Sequence, residues 1–381
     1  MPSPRRNKKS KGEKVRVPFR RNRSTRCRDK DWTDKGREGD DKDLDVTRGE
    51  RVASKGDLSR QRTIIVGDET RTDLVKGVVI AIRGLYADVD DGRRVVPCTI
   101  RRVLRTRLIA ERGPLAAGDR VGFVIEKEIA GTGVEGAIES VEPRRGQLRR
   151  LAGRRVQTIA ANIDQAIIVT SAAQPDPKPH LVDRYIVSAH AGEMAPVICM
   201  NKIDLDVNGF AAAILDRYVR LGYRTLRTSA ASGEGIDDLR RELKNRSSVI
   251  AGQSGVGKSS LLNTIQPGLL IRVAEVSTQS EKGKHTTTTA CLHRLDFGGY
   301  VVDTPGIRSF EMSNIPAGEL EAYFIEFVAL VRGCKFPGCT HTHESNCGVI
   351  AAVESGDIHP HRYETYRALF EEASQRPNYG R

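Results

Sequence analysis

Apolar and polar positions change texture along the chain. Hardly any apolar residue interrupts the first 28 positions, and no regular element is expected before about residue 70. From Thr72, short runs rich in Val and Ile follow one another at Leu74–Ile82, Leu85–Val89, Arg94–Ile100, Asp119–Ile125 and Val134–Val141. Arg83-Gly84, Asp91-Gly92 and Gly113-Pro114 punctuate them, and Asp90-Asp91-Gly92 between two runs is a hairpin signal. Closely spaced short strands of this kind predict a small Greek-key barrel of the OB type.

From about Ile163, apolar runs alternate with helical stretches. The runs are Ala166–Thr170, Val197–Met200, Thr225–Thr228, Ser248–Ala251, Cys291–Leu295 and Tyr300–Val302. Between them, Val182–Ala191, Phe210–Leu221, Ile236–Lys244 and Ser259–Ile265 read as helices. Buried strands alternating with helices predict a parallel, doubly wound α/β sheet. The last 70 or so residues read as helices around a loop dense in Cys and His. The expected division is a disordered basic arm (1–70), an OB-fold RNA-binding barrel (72–146), an α/β domain (155–312) and a helical module (313–375).

Composition narrows the class. The 381 residues carry 62 Lys and Arg against 49 Asp and Glu, a net charge of +13. No apolar run approaches the roughly 20 residues that span a bilayer, so no membrane role is expected. The N-terminal MPSPRRNKKSKGEK lacks the apolar stretch of a secretory signal, and seven cysteines do not form an even disulfide framework. A reducing, cytoplasmic setting is expected.

The charge is unevenly spread. Residues 1–62 hold 21 basic against 11 acidic residues, and residues 1–28 hold 12 against Glu13 alone. Arg101, Arg102, Arg105 and Arg107 form a basic strip in the barrel, and Arg144, Arg145, Arg149, Arg150, Arg154 and Arg155 another at its exit. Such an arm and strips suit RNA phosphates, although a solvated face would look the same.

The sharpest chemical signal is Gly252-Gln253-Ser254-Gly255-Val256-Gly257-Lys258-Ser259, followed by Ser260. It leaves a predicted strand and opens a predicted helix, as a phosphate-binding loop must. Its backbone N–H groups would cradle a β-phosphate, helped by the helix N-terminus. Lys258 would reach the β/γ oxygens and act in catalysis, and the Ser259 hydroxyl would ligate Mg²⁺.

Two further loops specify guanine. Asn201-Lys202-Ile203-Asp204 ends a predicted strand, where doubly wound sheets bind ligands. The Asp204 carboxylate would accept from guanine N1–H and the exocyclic amine, a donor pair that adenine lacks. Ser229 and Ala230 would turn a backbone N–H to the guanine carbonyl. Asp303-Thr-Pro-Gly306 follows Tyr300–Val302. Asp303 would hold Mg²⁺ through water, and the Gly306 N–H would sense the γ-phosphate. In Lys284-His285-Thr286-Thr287-Thr288-Thr289 one threonine would join Mg²⁺. Thr287 is taken as that ligand, with its neighbours open.

The order of these parts differs from Ras-like enzymes. Here N-K-I-D (201) and S-A (229) precede the phosphate loop (252), while the threonines and D-T-P-G (303) follow it. The same six-stranded sheet then requires a circularly permuted chain. In these motifs, over about residues 72–370, the sequence closely resembles the circularly permuted GTPases of small ribosomal subunit biogenesis (ribosome small-subunit-dependent GTPase A). The long basic arm has no counterpart in that family's core pattern.

The resemblance implies an N-terminal OB-like barrel, a permuted Ras-like GTPase domain and a C-terminal helical zinc module. It also implies that the partners are GTP, GDP and the small (30S) subunit with its rRNA; a monomer is expected. Cys334-x4-Cys339-x-His341-x5-Cys347 offers three thiolates and an imidazole, a set suited to one structural Zn²⁺. Spacing alone would also allow His343; the family pattern places the ligand at His341. Ile307 stands where Ras-like enzymes carry the glutamine that orients water, so hydrolysis should be slow unaided. His285 is the nearest candidate to position that water, although it also reads as a solvated loop histidine.

These expectations favour an RNA-stimulated GTPase acting late in small-subunit maturation. Two alternatives remain: a permuted GTPase of another RNA particle, such as the large subunit, and a non-enzymatic RNA-binding protein with a vestigial nucleotide site.

Overall fold

The computed structural model describes residues 14–18, 61–65, 74–101, 115–125, 135–152, 155–269, 290–303 and 315–375. In the arm, β1 (Lys14–Pro18) pairs antiparallel with β2 (Gln61–Ile65), Lys14 opposite Ile65. The expectation of an arm without regular structure is corrected at these two segments. The reason is local: Val15, Val17, Thr63, Ile64 and Ile65 are β-branched and favour extended backbone.

Five strands follow: β3 (Val75–Arg83), β4 (Tyr86–Asp90), β5 (Val95–Ile100), β6 (Arg120–Ile125) and β7 (Gly136–Val141). They close into a barrel in the order β3-β4-β5-β7-β6, antiparallel throughout except for the parallel pair β5–β7. Alternation aims one face inward: Val79 on β3, Ala87 and Val89 on β4, Val96 and Cys98 on β5, Phe123 on β6 and Ile138 on β7 form the core.

A hairpin, β8 (Gln147–Ala152) with β9 (Arg155–Ala161), leads out of the barrel where the sequence reading saw only a basic exit strip. Arg144 leaves that strip. Its guanidinium forks onto Asp119, Nε donating to Oδ1 at 2.7 Å and Nη2 to Oδ2 at 2.8 Å, and Asp119 is fully buried. A cation satisfied in this way holds the barrel mouth together and is largely covered. Gly118 completes the joint with φ +91°; a Cβ there would stand 1.9 Å from the Ala161 carbonyl oxygen. Of the predicted basic residues, Arg102, Arg105, Arg107 and Arg154 lie outside the described residues.

The central sheet has six strands: β10 (Gln165–Ser171), β11 (Ala195–Asn201), β12 (Arg224–Arg227), β13 (Ser247–Ala251), β14 (Cys291–Arg294) and β15 (Tyr300–Asp303). Their order is β12-β11-β10-β13-β15-β14, parallel except for the edge strand β14. Four helices, α1 (Pro179–Ala191), α2 (Phe210–Arg220), α3 (Ile236–Leu243) and α4 (Lys258–Ile265), cover both faces. Ile168 packs with Ile186 of α1 and Ile214 of α2, whereas Ile167 and Val169 pack with Leu239 of α3 and Leu261 of α4. Every residue of β10 is buried, which is why it reads as an unbroken apolar run.

The chain ends in two 3-10 segments (Ala317–Tyr323 and Val331–Gly333), α5 (Gly348–Ser355) and α6 (Pro360–Gln375). The stretch before the cysteines is therefore 3-10 rather than α-helical. Phe324, Phe327, Val349, Tyr366 and Leu369 give this module its own core. A buried ion network fastens it to α1. Arg362 Nη1 lies 2.8 Å from Asp183 Oδ1, while Nε and Nη2 reach both oxygens of Glu326 at 2.7 and 3.0 Å.

Candidate nucleotide site and metal cluster

Neighbouring strands β10 and β13 send the chain in opposite directions across the sheet. Their carboxyl ends therefore open onto a crevice, the position where doubly wound sheets hold ligands. The phosphate-loop residues 252–257 join β13 to α4 there. Gly252, Gly255 and Gly257 all adopt positive φ. At Gly257 the requirement is steric as well, because a Cβ would meet Asn201 Nδ2 at 2.4 Å. Val256 is buried and anchors the loop, whereas Ser254, Ser259 and Ser260 are exposed.

Lys258 folds back over the loop, donating from Nζ to the carbonyls of Gly252 at 2.8 Å and Gln253 at 2.7 Å. Burial lowers its pKa from the ordinary lysine value, so an anion in the cradle would meet a poorly hydrated ammonium. Both the ammonium and the first N–H groups of α4 sit at one end of the cradle, a sink for phosphate charge.

Asn201 unites the loops. Its buried side chain donates from Nδ2 to the Val256 carbonyl at 2.8 Å, and its Oδ1 accepts from the Ala230 N–H at 3.3 Å. One amide thus bridges the phosphate loop, the N-K-x-D loop and the S-A loop. Lys202 adopts left-handed backbone, φ +60°, and its ammonium donates to the Gln174 carbonyl. Ile203 is buried beneath, and the exposed Asp204 carboxylate stands on this platform. Ser229 is fully buried, its Oγ accepting from the Ser232 N–H at 3.1 Å, which shapes the turn presenting Ala230. Asp303 ends β15 opposite Cys291. Gly306, His285 and Thr287, together with Ile307, lie outside the described residues.

The sequence reading placed Asn201 among the nucleotide ligands but not as the amide that pins three loops. The signal was available only in three dimensions, since its partners sit 29 and 55 residues away. The Gln174 carbonyl and the carboxylate described next were likewise unforeseen.

The second site is the Cys/His cluster. One ligand atom each from Cys334, Cys339, His341 and Cys347 fall within 4.8 Å of one another. His341 is fully buried, with Nδ1 3.5 Å from Cys334 Sγ and 3.3 Å from Cys347 Sγ. Its Nε2 lies 2.6 Å from Glu321 Oε2. That carboxylate fixes the tautomer, leaving Nδ1 with its lone pair toward the sulfurs, as metal-bound histidines require. Three sulfurs and one nitrogen at this closeness fit tetrahedral Zn²⁺ without an open position. His343 is exposed and bonds to Thr342 Oγ1 at 2.8 Å, outside the cluster.

A phosphate loop and an N-K-x-D loop converging on one crevice define a P-loop GTPase, here with its motifs in permuted order. Comparisons agree. The family model for RsgA GTPase matches residues 141–313. The small ribosomal subunit biogenesis GTPase RsgA of Gemmatimonas aurantiaca is 43% identical over 261 residues, covering 68% of this chain and 84% of that protein. Its namesake from Chlorobaculum parvum is 40% identical over 315 residues, covering 78% and 98%. Among solved structures, YjeQ from Thermotoga maritima has a TM-score of 0.64 at 34% identity, covering 80% of this chain and 100% of that one. YloQ, a circularly permuted GTPase, has a TM-score of 0.63 at 29% identity, covering 81% and 99%. The chain belongs to the RsgA family of small ribosomal subunit biogenesis GTPases and is a GTP-hydrolysing enzyme. Among the described residues, no helix is long and apolar enough to cross a membrane.

Proposed function

We propose that this protein is a GTPase stimulated by the small (30S) ribosomal subunit, acting in the cytoplasm as a monomer late in that subunit's maturation. The observation that carries the reading is the Asn201 amide, which locks the phosphate loop and the guanine loop into one site. Guanine is held by Asp204, along Lys202 and Ile203, with the Ala230 N–H after Ser229 at its carbonyl. The phosphates lie in the 252–257 loop, with Lys258, Ser259 and Ser260 at its helix end and the Gly306 N–H at the γ-phosphate.

Ser259, Asp303 and Thr287 would hold Mg²⁺, which would supply positive charge against the phosphates. Lys258 stabilises the charge that spreads over the γ-phosphoryl oxygens as water attacks in line. Ile307 cannot orient that water, so His285 takes the task once the particle has bound. Cys334, Cys339, His341 and Cys347 would hold one structural Zn²⁺, which would supply a cross-link for the C-terminal module (313–375). The barrel (72–146) and the arm (1–70) supply salt-dependent attraction to rRNA for the GTPase domain (155–312). Hydrolysis removes the γ-phosphate contacts and releases the factor.

The test combines turnover with competition. Small subunits should raise kcat, large subunits should not, and His285→Ala should lose most of the stimulated rate while still binding GTP. GDP and GTP should outcompete ATP, and Asp204→Asn should relax that preference by at least about tenfold. Equal stimulation by both subunits, or ATP binding as tight as GTP binding, would refute the reading.

A further inference from the structure

The barrel meets the central sheet through a buried carboxylate. Asp90 ends β4 and is only 3% exposed. Its Oδ2 accepts from Tyr300 Oη at 2.9 Å, and its Oδ1 accepts from the Gly92 N–H at 2.8 Å and Arg294 Nη1 at 3.3 Å. Burial and the adjoining carboxylate push the Tyr300 phenol well above its ordinary value, so it remains a proton donor. Beside this contact, Val78 and Ile80 of β3 pack on the core that holds Leu292 of β14 and Val302 of β15.

The two donors are not independent. Arg294 and Tyr300 face each other in register on β14 and β15, so a single rung of one hairpin grips the barrel. The far rung of the same hairpin pairs Cys291 with Asp303, three residues along and about 10 Å away. β15 also pairs with β13, whose carboxyl end starts the phosphate loop. The partners of Asp90 are 204 and 210 residues distant in sequence, so the contact joins two separately formed units.

We propose that Asp90, Tyr300 and Arg294 are positioning residues for GTP hydrolysis: they fix the β14–β15 hairpin, and Asp303 with it, against the barrel, so that particle binding at the barrel is felt at the hydrolytic site. This inference rests on the reading of the chain as a small-subunit-stimulated GTPase. The hairpin is short and rigidly paired, so a barrel held at one rung sets the lateral position of the other. A contact that merely docked two domains would affect stability in proportion to its loss, but not kcat at saturation.

The test uses full-length Tyr300→Phe, which deletes one hydroxyl, and Asp90→Asn, which keeps the shape. Relative to wild type, Tyr300→Phe should keep its GDP affinity and particle affinity within about twofold. Its kcat at saturating small subunits should fall by about fivefold or more, the rate equivalent of one hydrogen bond. Asp90→Asn, which weakens the accepting end of both the Tyr300 and the Arg294 contacts, should lower the stimulated kcat at least as far as Tyr300→Phe does. If Tyr300→Phe does not fold, Arg294→Gln supplies the same measurement. Undiminished stimulated kcat in a stimulated wild-type background overturns this inference alone, as does a loss that merely tracks the folded fraction. A wild type that small subunits do not stimulate overturns the parent reading, and this inference with it.

Discussion

The nucleotide crevice and the Cys/His cluster are both ligand sites, built in opposite ways. The crevice is made of backbone: glycine-permitted turns, carbonyls clasping Lys258, and one amide tying three loops. Asp204 and Ser259, the groups proposed to meet guanine and Mg²⁺, are exposed. The cluster is made of side chains aimed at one another, with His341 buried and a carboxylate behind it. The first is braced by its own hydrogen bonds and suits a molecule that comes and goes. The second brings sulfurs together at distances that favour a resident cation. Exchange requires a scaffold independent of the ligand; permanence does not.

Stripping the metal should separate the two most sharply. Zinc-binding energy in small metal modules is folding energy, of order 10 kcal/mol. A strong chelator should therefore melt the module at 313–375, seen as loss of hydrogen-exchange protection there, while GDP affinity stays within a few-fold. Loss of both together would erase the contrast. Arg362→Met tests the seam between module and sheet. It removes the cation from the Glu326 carboxylate and leaves buried Asp183 with only the Tyr218 hydroxyl and His361 beside it, and should cost about 3–5 kcal/mol in denaturant unfolding.

Lys258→Ala addresses the crevice alone. Losing one preorganised cation should slow single-turnover hydrolysis by about 100- to 1,000-fold, with no change in zinc content. Glu321→Gln reaches the cluster from behind, and zinc affinity in a chelator competition should fall by about 10- to 100-fold.

The smallest effect concerns pH. Burial raises the Glu344 carboxyl, but hydrogen bonds from Thr340 Oγ1 and the N–H groups of Thr340 and His343 outweigh it and hold the pKa well below the usual carboxylate range. Since the folded pKa is depressed, this stabilisation is present above the ordinary carboxylate pKa and lost as pH falls toward the folded one. Glu344→Gln should lower Tm slightly at pH 7, and the gap to wild type should narrow on acidification below about pH 4.

What could be read in advance follows from how local each feature is. The barrel strands, the alternating strands and helices, the phosphate loop and the three cluster cysteines all declare themselves within a few positions of sequence. Periodicity and the chemistry of Gly and Cys carry that information, whereas spacing alone does not choose His341 over His343. Glu321 had no such signal. A lone carboxylate 20 residues before His341 looks like any surface glutamate until the fold delivers it. Asp183 with Arg362, and Asp90 with Tyr300, are long-range pairs of the same kind. Arg144 was misjudged for a related reason: a basic run looks alike whether it faces solvent or forks onto a buried aspartate such as Asp119. The β1–β2 ribbon was missed because charge dominates that arm, although β-branched residues mark both segments.

The permuted connectivity also governs how the chain can fold. The centre of the sheet joins β10 to β13, and its first rung pairs Gln165 with Ser248, 83 positions later. During synthesis β10, β11 and β12 can assemble with α1 and α2 as soon as they emerge, but β10 then carries a bare edge until β13 arrives, and its Ile167 and Val169 face lacks Leu261 until α4 follows. Non-local closure of this kind is slow and leaves sticky intermediates. Because the nucleotide crevice forms only when that last central rung closes, guanine nucleotide, which would bridge loops of the early half and the phosphate loop after β13, should act as a trap for the completed sheet and raise the yield of refolding from denaturant.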